Sequence, residues 1–66
     1  MKKIKIKVNG KFKTVLNNSK LSDLIKNLNI PIKKVAIELN QEIIDKKRTH
    51  NIKLKKDDKI EIFNFI

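Results

Sequence analysis

The sequence predicts an α+β fold, a mixed sheet of four to five strands with one helix packed across one face. Three observations point to it. Apolar residues alternate with Lys up to Asn9-Gly10, the mark of a hairpin. Leu21, Leu24, Ile25 and Leu28 recur at helical spacing. The stretch Lys59-Ile60-Glu61-Ile62-Phe63-Asn64-Phe65-Ile66 reads as a strand that runs to the last residue. One helix cannot cover two sheets, so a single sheet follows. Sixty-six residues imply one domain, 1–66, and folding buries only roughly 60% of the surface such a chain exposes when unfolded.

In order, Ile4, Ile6 and Val8 alternate with Lys3, Lys5 and Lys7, a half-buried strand with a solvated Lys face. Asn9-Gly10 suits a type I′ turn, which needs positive φ at both central residues. Lys11 to Leu16 returns as the second strand. Asn17-Asn18-Ser19 is turn-forming, with Ser19 the expected helix N-cap. Asn29 is expected in the left-handed capping conformation, and Ile30-Pro31 stops the helix. Val35, Ile37 and Leu39 form a third strand, Asn40-Gln41 a turn, and Glu42-Ile43-Ile44 a brief return. Asp45 to Asn51 reads as polar and irregular. Ile52 and Leu54 tuck against the core, and Lys55-Lys56-Asp57-Asp58 reads as a solvated surface turn into the final strand. That strand is expected in the middle of the sheet, parallel to the first. Ile60 and Ile62, with Ile66 in phase, then face the helix, and Glu61, Phe63 and Phe65 face away.

Composition narrows the function. So small a core leaves little room for an internal substrate pocket, which disfavours an independent enzyme. The net charge of +10 raises nucleic acid or an anionic membrane as partner. Yet Arg48 is the lone Arg among 17 basic residues, so bidentate phosphate or base readout is poorly supplied. Lys, Ile and Asn make up more than half the chain, the usage expected of an AT-rich genome, so only weak, generic polyanion binding is expected. No stretch approaches the ~20 apolar residues of a membrane span, and the Lys-rich start lacks a secretory h-region, so a cytoplasmic (or plastid stroma) protein is expected. There is no Cys, so redox compartment is immaterial.

No catalytic, metal or cofactor constellation emerges. His50 stands alone in a polar stretch and is expected at the surface; Gly10 belongs to a hairpin, so there is no phosphate loop. Phe63, Phe65 and the terminal Ile66 are the candidate partner-binding residues. Both rings are expected on the helix-free face, beside Lys3, Lys5 and Lys7 of the first strand and Ala36 and Glu38 of the third. An apolar patch rimmed by charge there suggests a docking surface.

The arrangement is that of the ubiquitin-like β-grasp, and the wording resembles the sulfur carrier proteins of thiamine biosynthesis, the ThiS family. The resemblance spans essentially the whole chain. It rests on I-K-V-N-G at Ile6–Gly10, K-L-S-D-L-I at Lys20–Ile25, V-A-I-E-L-N at Val35–Asn40, E-I-I at Glu42–Ile44 and K-D-D-K-I-E-I-F at Lys56–Phe63. The resemblance implies a carrier rather than an enzyme, without a cofactor. In the family a C-terminal Gly-Gly is adenylated by an ubiquitin-activating-type enzyme, converted to a thiocarboxylate, and delivered into thiazole synthase. Only Gly lets an extended backbone thread a narrow channel without side-chain collision. This sequence departs from the pattern by stopping at Ile66, the expected attachment point of a missing Gly-Gly, and by placing Asp57 where the family commonly has Gly. A molybdopterin-type sulfur carrier shares fold and tail. A β-grasp binding module that docks a protein or RNA through its Lys-rich sheet face is the alternative from a different class.

Overall fold

A computed structural model describes residues 2–64. β1 (Lys3–Val8) and β2 (Lys11–Leu16) form a hairpin, followed by α1 (Leu21–Asn27). A 3-10 turn at Ile32–Lys34 leads to β3 (Val35–Leu39) and β4 (Glu42–Ile43), and a second at Lys46–Asn51 precedes β5 (Lys59–Asn64). The sheet order is β2-β1-β5-β3-β4. β5 is therefore central, parallel to β1 through Lys7↔Lys59 and Val8↔Ile60, and antiparallel to β3 from Val35↔Asn64 to Leu39↔Ile60. The β-grasp arrangement of one helix on a mixed sheet is the one that the alternation predicts.

Both hairpin turns are left-handed at two successive residues. Asn9 and Gly10 have φ of 50 and 83, Asn40 and Gln41 of 52 and 71. The primed turn matches the right-handed twist of the strands it joins. The second turn does this with Gln41, a residue that has no special tolerance for positive φ.

The helix begins one residue later than expected. Lys20 occupies the N-cap position, and its N–H donates to the Asp23 carboxylate at 3.0 Å. Ser19 is diverted, its hydroxyl donating to the Leu16 carbonyl at 2.6 Å, so it closes the preceding turn instead of capping. The C-terminus follows expectation. Asn29 is left-handed at φ 56, and the N–H groups of Asn29 and Ile30 return to the carbonyls of Lys26 and Ile25. That pair of bonds is the Schellman closure.

Two further segments depart from expectation. Residues 45 to 51 are ordered: Asp45 accepts from the Lys47 N–H at 3.0 Å, and Thr49 is buried with its hydroxyl on the Lys46 carbonyl. The turn before β5 is only partly solvated. Asp57 is exposed and left-handed at φ 69, which is the backbone reason a Gly suits that position. Asp58 is buried at 8% exposure; its carboxylate accepts from Asn40 Nδ2 at 3.0 Å and from the Lys55 N–H at 2.7 Å.

The core joins Leu21, Leu24 and Ile25 of the helix to Ile6, Val35, Ile37 and Ile60 of the sheet. Leu54 closes it from the last loop, pinned by its N–H to the Ser19 carbonyl at 2.7 Å. Ile62 is half-buried at the margin of this core, not at its centre. Among the described residues, no helix is long and apolar enough to cross a membrane.

Candidate functional site

Strand register sorts the sheet side chains into two faces, because directly paired residues project to the same side. Ile4, Ile6 and Val8 of β1 and Ile60 and Ile62 of β5 share the helix face. Phe63 therefore lies on the helix-free face, as alternation predicts, and is paired with Ala36. It is 47% exposed. Register adds three more apolar side chains to this face. Phe12 pairs with Lys7, Leu16 with Lys3, and Ile43 with Glu38, which places all three opposite the helix. Phe12, Leu16, Ile43 and Phe63 are the exposed large hydrophobic side chains of the described residues. Alternation within β5 alone finds only Phe63; the others emerge once the cross-strand partners are known.

The neighbours of Phe63 differ from expectation. β1 pairs with β5 only at Lys7↔Lys59 and Val8↔Ile60, then turns away at Asn9. Phe63 lies four residues beyond Lys59, roughly 13 Å along the strand. Lys3 and Lys5 thus lie at the opposite end of the face. What flanks Phe63 is Ala36, with Glu38 and Glu61 one row away, facing each other directly.

The lysines instead surround Phe12. The ammonium groups of Lys5 and Lys7 lie 5.2 and 5.1 Å from its ring centroid, within cation–π range. Lys59 and Asp57 complete a shallow depression around this ring. The open face is therefore divided into a basic half on β2 and β1 and a half on β5, β3 and β4 that bears Phe63, Ile43 and two carboxylates.

β5 outruns β1, and a side chain takes over where the strand partner ends. The Asn9 N–H donates to the Ile60 carbonyl at 2.9 Å, and Asn9 Oδ1 accepts from the Ile62 N–H at 2.8 Å. Asn40, the equivalent residue of the other primed turn, accepts from the Lys59 N–H through Oδ1 at 2.9 Å. Phe65 and Ile66, the other two candidate residues, lie outside the described residues. His50 is exposed, as expected. Among the described residues, no cluster of His, Cys, Asp or Glu could hold a metal ion. The Asp58 carboxylate is engaged by Asn40 Nδ2 and the Lys55 N–H.

The model of the ThiS family matches residues 6–66. Among solved structures, the chain is similar to the crystal structure of the thiamine biosynthesis protein (ThiS) from Geobacter metallireducens. The two share 26% sequence identity with a TM-score of 0.86, and 96% of each chain is covered. No curated protein matches.

Proposed function

This chain belongs to the ThiS family, and we propose that it is a sulfur carrier serving thiazole formation in thiamine biosynthesis. The observation that carries this reading is the family match over residues 6–66, together with a last strand held at the centre of the sheet. A rigid central strand is a suitable base for a tail that must enter another protein's active site, because a fixed base limits the conformations the tail has to lose. In this reading the chain is a co-substrate rather than an enzyme. Ile66 is the point from which a Gly-Gly tail extends. The terminal carboxylate attacks the α-phosphorus of ATP, pyrophosphate leaves, and a sulfide-level donor then displaces AMP to leave the thiocarboxylate.

The partners in this reading are an ubiquitin-activating-type adenylating enzyme and thiazole synthase, in the cytoplasm or plastid stroma. Phe63, Phe65 and Ile66 form the docking end. ATP–pyrophosphate exchange with the cognate activating enzyme tests it. The chain bearing Gly-Gly after Ile66 should support exchange, and the 66-residue form should not. Absence of exchange from the extended form, with an enzyme shown to be active, would remove the carrier assignment.

The basic cluster around Phe12 favours a second reading, a β-grasp module that binds RNA through its Lys-rich half-face. RNA affinity that survives physiological salt would support it, whereas binding confined to low salt is generic polyanion attraction.

A further inference from the structure

Among the described residues, the Ile62–Asn64 part of β5 is paired with β3 on one side only, because β1 turns at Asn9-Gly10. A strand end with one flank unpaired frays, because its outward N–H groups gain nothing from staying in line. Here the first of those N–H groups, that of Ile62, is taken by Asn9 Oδ1 at 2.8 Å, across 53 residues of sequence. The same residue's backbone N–H holds the Ile60 carbonyl at 2.9 Å. Asn9 thus grips β5 twice, once as the last member of the ladder and once as a side-chain substitute for the residue that would have come next.

The turn alone does not require this side chain. Its φ of 50 is met by Asn, Asp or Gly at the first position of a type I′ turn. Gly would satisfy the backbone and leave the Ile62 N–H without its acceptor; Asp would satisfy both. The corresponding Asn40 in the second primed turn also accepts from a β5 N–H, that of Lys59. β5 is therefore held at its start and toward its end by the leading asparagines of the two hairpin turns that flank it.

We infer that Asn9 is a positioning residue for the sulfur-bearing tail: its side-chain carbonyl keeps the end of β5 in line after β1 has turned away, so that the tail leaves the sheet in a fixed direction. The inference rests on the carrier reading for its functional half and on the hydrogen bond for its structural half. A tail already aligned loses less freedom on entering the activating enzyme, so its loss appears in KM more than in kcat.

Two variants and two readouts test it. Amide hydrogen exchange by NMR on the 66-residue chain should show the Ile62 amide exchanging roughly tenfold faster in Asn9→Gly, the change expected for one ordinary hydrogen bond. The Ile60 and Ile37 amides should be unchanged, and Asn9→Asp should keep most of the protection. In the Gly-Gly-extended chain, Asn9→Gly should raise the KM for pyrophosphate exchange roughly tenfold with kcat held, and Asn9→Asp should restore it. Unchanged Ile62 exchange in Asn9→Gly overturns the inference outright. Faster exchange with an unchanged KM overturns the positioning role and leaves a purely structural bond. No activity from the unsubstituted extended chain, with an enzyme shown to be active, strikes the carrier reading itself and is told apart by the amide data, which need no enzyme.

Discussion

Asn40 and Asp58 hold the entrance of the central strand between them, Nδ2 to Oδ1 at 3.0 Å, while Asn40 Oδ1 takes the N–H of Lys59. Asp58 also accepts from the Lys55 N–H at 2.7 Å. Removing the buried carboxylate breaks two part-buried hydrogen bonds at once. Asp58→Ala should therefore lower stability by about 2–3 kcal/mol. Asp57→Ala, one residue earlier and exposed, should lower it less in the same urea titration.

The two primed turns make a matched pair. Gly10 has open space where a Cβ would lie, so Gly10→Ala tests backbone conformation alone. It should cost roughly 1 kcal/mol, because an L-residue is disfavoured at φ 83. Gln41 already sits at φ 71, so Gln41→Gly should stabilise by about the same amount. Thermal unfolding of both variants measures the two shifts, which should have opposite signs.

Core and margin should separate in denaturant titrations. Leu24→Ala and Ile60→Ala open cavities among fully buried neighbours and should each cost about 2–5 kcal/mol. Ile62→Ala, at a half-buried position, should fall below both. Lys5→Ala should stay within about 0.5 kcal/mol.

Phe63 should matter for docking more than for folding. It projects from the helix-free face beside Ala36, near the end of β5 from which the proposed tail would extend. Phe63→Ala should change stability by about 1 kcal/mol or less. It should weaken binding of the extended chain to its activating enzyme by about tenfold or more, as loss of an interface anchor does. Phe12→Ala, on the basic half of the same face, is the comparison; an equal loss there would move the docking surface across the sheet.

Most of the fold was legible because its determinants are local. Asn9-Gly10 dictates a turn by backbone sterics, and alternation in β1, β3 and β5 fixes which face each residue serves. Alternation does not fix register, and the stagger of β5 against β1 is what separates Phe63 from Lys3 and Lys5. Asp58 looked solvated because its neighbours in sequence are Lys and Asp; its partner Asn40 lies 18 residues away and is met only after folding. Ser19 has the chemistry of an N-cap, but its hydroxyl donates backward to the Leu16 carbonyl instead of accepting from a helix N–H, a choice between two local hydrogen bonds that residue type cannot decide. The exposed apolar side chains of the helix-free face were legible in part, through Phe63. Cross-strand pairing adds Ile43 to the half that bears Phe63 and Phe12 to the basic half, and Asn9 is tied to β5 by a side-chain bond that spans 53 residues.

Intact mass shows most directly whether this chain carries sulfur. The chain with Gly-Gly after Ile66 is incubated with ATP, its activating enzyme and a sulfide-level donor, and the product is weighed. A mass gain equal to replacement of one oxygen by sulfur is expected, dependent on ATP and located in the C-terminal fragment. An unchanged mass, with an activating enzyme and donor that thiolate another carrier in parallel, would contradict it.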